Sequence, residues 1–276
     1  EAACRWLAHE APRHRDNPWL LYVGFVSPHF PLIAPPQFYE LYADKPIPMP
    51  AMYAAHERPS HPFLEAMRRC LCFDEPFDEP MVRRALAAYY GLVSFLDDNV
   101  GKILRAVAAA GLATDTRILY SSDHGDNLGA RGLWGKSTMY EESAGIPMLL
   151  AGPGIPRGNV TDAPVSLVDV YPTILQSVAL NAAGHSPTHP GHSLIEIADG
   201  YVPGRTVLSE YHAAGAKAAS YMIRHGRYKY IHYVGMRPML FDLAADPEER
   251  VDLAPDPAHS AQLAECEARL LNVVRP

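Results

Sequence analysis

The stretch SSDHGDNLGARGLWGKSTMYEE, residues 121–142, follows directly on the β-prone run RILYS at 117–121. Neighbouring side chains on a strand point to opposite faces, so Asp123 and His124 can converge only where the strand breaks into a loop. Gly125 supplies that break. In α/β sheets, sites gather at the carboxyl ends of strands, which is where this pair falls. A carboxylate beside an imidazole suits a divalent cation. Gly129, Gly132 and Gly135 then let the loop return. Lys136, thirteen residues after Asp123, is placed to reach back as a fixed positive charge toward an anionic ligand.

Outward from this stretch, the pattern alternates strands and helices. Residues 19–26 (WLLYVGFV) read as a short buried strand between Asn17-Pro18 and Ser27-Pro28. Residues 27–36 (SPHFPLIAPP) hold too many prolines for helix or sheet and read as an ordered loop. The Pro-rich irregular run continues over 42–62, a length often tied to function. A helix is predicted from Pro80 to Ala110, ended by Gly111. Leu86, Tyr89, Val93, Leu96, Val100, Leu104 and Val107 form its apolar stripe. Asp97 and Asp98 on it read as a solvated face rather than paired catalytic carboxylates. Residues 146–150 read as a second strand after the loop, and 172–180 as a helix. The alternation implies a parallel sheet covered by helices.

The texture changes after residue 204, where short runs at 206–209, 220–224, 228–233 and 239–243 predict a small antiparallel sheet closed by a helix over 257–273. The division expected is an α/β core over 1–203 and an antiparallel α+β subdomain over 204–276, joined through the Pro-, Gly- and His-rich stretch 184–200. Tyr228, Tyr230 and Tyr233 alternate with Lys229 and His232 as on a half-buried strand. His225 reads as a turn residue, and Glu141 and Glu142 as either acids behind the cation pair or a helix start.

Twenty-four Lys and Arg against 31 Asp and Glu leave a net charge of −7, and hydrophobic residues make up 48% of the 276. That balance fits a globular chain and argues against a nucleic-acid phosphate surface. No apolar run reaches the roughly 18–20 residues of a membrane helix. Cys4, Cys70, Cys72 and Cys266 show no CxxC pair and read as ordinary reduced thiols. The chain begins at Glu1 rather than Met, with no signal peptide. It reads as cut from something longer; a cytoplasmic location is favoured, and a homo-oligomer is left open.

Taken together, SSDHGDNLGARGLWGKSTMYEES (121–143) resembles the second signature region of the sulfatases, within the alkaline-phosphatase-like superfamily. The nearest flavour is that of choline-sulfatase-like enzymes and phosphonate monoester hydrolases. LYVGFVSPHFPLIAPPQFY (21–39), FLDDNVGKIL (95–104), AGIPMLLAGPG (144–154), PVSLVDVYPTIL (164–175), SEYHAAG (209–215), YMIRHGRYKYIHY (221–233) and LFDLAADPEE (240–249) agree in order. The resemblance implies an α/β fold with a mixed sheet between helices and hydrolysis of small-molecule sulfate esters, with phosphonate or phosphodiester hydrolysis as the alternative. It implies Asp123 and His124 as ligands of a divalent metal, Ca²⁺ first, with Mg²⁺, Mn²⁺ or Zn²⁺ open. It puts Lys136 on the sulfate or phosphate oxygens, and His29 of SPHFP where it helps protonate the leaving group. Tyr211 and His212 are candidate substrate contacts.

The family's nucleophile is a formylglycine made from the cysteine of Cys-x-Pro-Ser-Arg or Cys-x-Ala-x-Arg. None of the four cysteines here has Arg four residues later. The family's acidic metal ligands before that cysteine also have no counterpart. The expectation is an alkaline-phosphatase-like fold without its first strands, with exposed apolar sheet surface, weak metal affinity and little activity on its own; a non-catalytic remnant is the reading from another class.

Overall fold

The computed structural model describes residues 1–14, 16–70, 77–178, 189–200, 202–213 and 215–274. Helices α1 (Ala2–His9), α2 (Pro36–Tyr39) and α3 (Pro62–Cys70) precede the 31-residue α4 (Glu79–Ala109). Asp78 starts α4 by accepting the Met81 N–H at 2.8 Å, beside the proline that is tolerated in a first turn. Gly111, at φ +68°, lets the chain leave. The predicted stripe is only partly the buried one. Leu86, Leu96 and Val107 are buried, while Val93 and Leu104 are exposed. The contact face changes along the helix. Its first half packs Val82, Leu86 and Ala87 on Ile47 and Trp134, and its last turn packs Val107 on Leu7 and Ala11 of the amino-terminal segment.

Strand β1 (Ile118–Ser121) leads into the loop that carries the cation pair, then α5 (Glu141–Ala144) and β2 (Met148–Ala151). β1 and β2 pair antiparallel, Ile118 opposite Ala151 and Ser121 opposite Met148. This corrects the parallel sheet inferred from alternation. A parallel return needs a crossover, usually a helix; residues 122–147 form the loop and one helical turn instead, which reverse the chain. Residues 19–26 form no ladder, a second correction. Trp19 and Leu21 pack against the α1–α4 cluster, but Leu20, Tyr22 and Val26 are exposed, because no strand pairs with this run among the described residues.

Helices α6 (Val170–Ser177) and α7 (Leu194–Ala198) follow, then β3 (Thr206–Tyr211), β4 (Ser220–His225), β5 (Tyr228–Tyr233), β6 (Met239–Asp242) and α8 (Ser260–Val274). Cys72, Leu180 and residues 184–188 of the expected connection lie outside the described residues. The four strands form one antiparallel sheet in chain order. Both of its faces are covered. Met222, Ile231, Tyr233, Met239 and Phe241 join Phe63, Leu64 and Met67 of α3 and Met139 and Tyr140 of the loop. Ile223, Tyr230 and Leu240 meet Cys266 and Leu270 of α8. The period of two separates these sets, and it puts Lys229 on the first, buried face. The half-buried strand expected at 228–233 is therefore buried on both sides. No helix among the described residues is long and apolar enough to cross a membrane.

Candidate active site

β1 ends at Ser121, and the next residues turn toward solvent. Asp123 is exposed, with Oδ2 3.4 Å from His124 Nε2. The Ser122 hydroxyl donates to the His124 carbonyl at 2.8 Å, and the His124 N–H donates to Asp123 Oδ1 at 3.1 Å. Gly125 donates its N–H to the Ser143 carbonyl at 2.8 Å, tying the strand end to α5.

Lys136 returns as the sequence predicts. Its Nζ stands 2.7 Å from His124 Nε2 and 2.9 Å from His29 Nε2, bridging residues 12 and 107 positions away. His29 Nδ1 lies 2.8 Å from the Phe30 carbonyl, and His124 Nδ1 lies 2.8 Å from the Gly125 carbonyl. A carbonyl only accepts, so each Nδ1 carries the proton and each neutral ring turns a lone pair at Nε2 toward the ammonium. The site is thus a cation held between two acceptors, beside an exposed carboxylate. His29 sits in a turn between two cis prolyl bonds, at Pro28 and Pro31.

The Asp123 Oδ2–His124 Nε2 separation of 3.4 Å suits two neighbouring donors on one ion whose bonds are about 2.0–2.4 Å, provided the Lys136 ammonium gives up the one Nε2 lone pair of His124 to that ion. The donor set, one carboxylate and one imidazole, fits a divalent cation, with Asp123 and His124 as the residues that would hold it. Among the described residues no group of three or more His, Cys, Asp or Glu is placed to share one ion.

The remaining candidates stand on or beside β3, β4 and α4. Tyr211 ends β3 opposite Ser220 and packs on the α3 cluster. His212 meets Glu210 at 3.4 Å and stacks edge-on against Tyr221. His225 is a turn-side strand residue, with Nδ1 3.0 Å from the Thr206 hydroxyl. Asp98 pairs with Lys102 along α4, a solvated-face role.

Sequence reasoning passed over the groups that hold the loop. Arg131, fully buried, donates to Glu142 at 2.8 Å and to the Glu248 carbonyl, and its guanidinium lies 3.8 Å from the Tyr140 ring centre. Lys229 Nζ meets Glu141 at 2.5 Å, Glu249 at 2.9 Å and the Met139 carbonyl at 2.9 Å. Burial pushes the Glu249 carboxyl above its ordinary range, and the Lys229 ammonium opposes that shift. The signal for Lys229 was a lone cation inside an aromatic strand, YKYI, where a solvated residue would break the buried face. Glu141 and Glu142 both begin α5, as the helix-start reading has it, and their carboxylates pair with Lys229 and Arg131.

The comparisons agree with this geometry. Residues 2–179 match the sulfatase family, and residues 129–275 match the N-sulphoglucosamine sulphohydrolase C-terminal family. Choline-sulfatase of Rhizobium meliloti (strain 1021) is 36% identical over 254 residues, 91% of this chain and 49% of that protein. The multifunctional alkaline phosphatase superfamily protein PehA of Trinickia caryophylli is 30% identical over 280 residues, 90% of this chain and 54% of that protein. Phosphonate monoester hydrolase SpPMH from Silicibacter pomeroyi superposes with a TM-score of 0.81 at 29% identity, covering 98% of this chain and 58% of that one. The chain spans about half the length of the curated relatives it matches. A family likeness over residues 2–179 and a matching fold, on a loop that brings Lys136 to His29 and His124, lead to one conclusion: this chain belongs to the sulfatase family, with an alkaline-phosphatase-like α/β fold.

Proposed function

We propose that this chain supplies the metal-and-cation side of a site that hydrolyses small-molecule sulfate monoesters. The observation that carries the reading is the convergence of Lys136 with His29 and His124 beside Asp123. A divalent cation, Ca²⁺ in this reading, would be held by Asp123 and His124 and would offset charge on the nonbridging oxygens. Lys136 donates to the sulfate oxygens and to the departing oxygen, where fixed donors act most strongly on developing charge. His29, its Nδ1 proton held by the Phe30 carbonyl, presents Nε2 to the leaving group; the proton it passes on is one that Nε2 first takes from the Lys136 ammonium 2.9 Å away. No cysteine here stands in a formylglycine motif, so the nucleophile comes from outside these 276 residues and the chain alone turns over little.

The test is steady-state hydrolysis of an aryl sulfate and of choline sulfate, by a polypeptide uniting these residues with a Cys-x-Pro-Ser-Arg segment. Lys136→Ala is expected to lower kcat by about 10²–10³-fold. An unchanged rate overturns the role of Lys136. Turnover by the 276 residues alone, abolished by the same change, overturns the outside nucleophile.

Phosphonate or phosphodiester hydrolysis is the second reading, favoured by the superposition on a phosphonate monoester hydrolase. The same metal, Lys136 and His29 serve it. Higher kcat/KM for a phenylphosphonate ester than for the aryl sulfate selects it.

A further inference from the structure

We propose that Asn127, with Thr138, is the positioning residue that places the Lys136 ammonium between the two imidazoles. The proposal rests on reading Lys136 as the anion-facing cation of the site.

Lys136 has a flexible stem, and the residue after it is strained: Ser137 lies at φ +81°, outside the range most L-residues adopt. Such a backbone persists only where its surroundings over-determine it. Asn127 is fully buried and grips the loop on both sides of Lys136. Before Lys136, its backbone N–H and its side-chain Nδ2 both donate to the Gly135 carbonyl, at 2.6 and 2.7 Å. After Lys136, the buried Thr138 hydroxyl donates to Asn127 Oδ1 at 3.1 Å. Asp126 closes the same turn, with Oδ1 accepting the Gly135 N–H at 3.0 Å and the Leu128 N–H at 2.9 Å. One side chain therefore fixes residues 135 and 138, and with them the root of the lysine between.

This arrangement explains the loop's spacing. Asn127 lies three residues beyond His124, so the clasp ties Lys136 to the same strand end that carries the cation pair. The closed turn fixes the Lys136 backbone relative to His124, so that a single reach of the side chain brings Nζ to both imidazoles. An asparagine is suited to this, because it donates and accepts at once, and here each capacity has a partner. Aspartate would keep the acceptor for Thr138 but lose the donor, and would turn a charge onto the Gly135 carbonyl.

The experiment is NMR of the 276-residue chain with ¹⁵N-labelled histidine, reading Nε2 of His29 and His124. Lys136→Met gives the reference shift for loss of the ammonium. Asn127→Ala and Thr138→Val are expected to move both resonances in the same direction as Lys136→Met. Asn127→Ala combined with Lys136→Met should add nothing further, the mark of residues acting as a unit. Thr138→Ser, which keeps the hydroxyl, should restore the wild-type positions. Circular dichroism and Tm identify a variant that fails to fold, and Thr138→Val then carries the test. Histidine resonances unmoved in folded Asn127→Ala or Thr138→Val, while Lys136→Met moves them, overturn the proposal. Failure of the hydrolysis assay would leave this comparison standing, so the two claims are separable.

Discussion

Replacing Gly125 by alanine tests how tightly the cation pair is seated. Gly125 does not need a positive φ, so its role is not conformational freedom. It is space: an added Cβ would fall well inside 3.0 Å of the Glu142 carbonyl oxygen and 3.1 Å from that carbonyl carbon, both backbone atoms that cannot swing away. Forcing α5 and the strand end apart costs about 1–3 kcal/mol as overpacking. Losing the 2.8 Å bond from the Gly125 N–H to the Ser143 carbonyl adds about 0.5–1.5 kcal/mol. The sum is about 1.5–4.5 kcal/mol, or a fall in Tm of about 10 °C for a chain of this size. Gly158→Ala is the control. It sits at φ +68° with nothing within 4 Å of the added methyl, so its cost is the left-handed backbone alone, about 1–2 kcal/mol. Thermal and urea unfolding of the two variants, run side by side, should separate them. If Gly125→Ala loses no more stability than Gly158→Ala, the close seating of His124 against α5 is wrong.

Other changes reach other parts of the account. Lys229 and Glu249 are both fully buried, so Lys229→Met leaves a carboxylate without its counter-charge and should cost about 3–5 kcal/mol in urea unfolding; a loss under 1 kcal/mol would show the pair to be dispensable. His61 is held below its ordinary value of 6.5, chiefly by burial, and the Arg237 carbonyl opposes the shift. The unfolded chain then binds the extra proton first, so this contribution to stability is full above pH 6.5 and falls on acidification, by at most about 1.4 kcal/mol per pH unit. His61→Gln should flatten that part of the stability–pH curve. Leu20, Tyr22, Val26, Ile33 and Leu149 are all exposed apolar groups. Light scattering should show concentration-dependent association, reduced by Leu20→Ser with Val26→Ser; a monomer at all concentrations refutes it.

The strands were legible wherever local pattern decides them. β5 occupies residues 228–233 as expected, and β1, β2, β3, β4 and β6 differ from the reading by a residue or two. Their pairing in the first sheet was not legible, because direction is set by what the connection does. Here the connection forms a site loop instead of a crossover helix. Residues 19–26 carry strand-like composition without a ladder, since ladder formation needs a neighbour that composition does not supply. In the site, Asp123, His124 and Lys136 were readable from spacing, and His29 only through the family likeness. Asn127, Thr138 and Arg131 were invisible because their work is done by hydrogen bonds across the loop. Lys229 was read only as one of the residues alternating along a half-buried strand, because a single strand does not reveal that both of its faces are covered. Tyr211 and His212 stand at the end of β3, where Tyr211 packs on the α3 cluster and His212 meets Glu210 and Tyr221.

The central claim is that Asp123 and His124 grip one cation while Lys136 faces an anion beside them. Anomalous diffraction from crystals of the chain soaked in Mn²⁺ and sulfate tests it most directly. The account predicts one anomalous peak bonded to an Asp123 carboxylate oxygen and to His124 Nε2, with sulfate on Lys136 Nζ, and no peak there in Asp123→Asn. A peak seated on other residues, or sulfate that ignores Lys136, would contradict it.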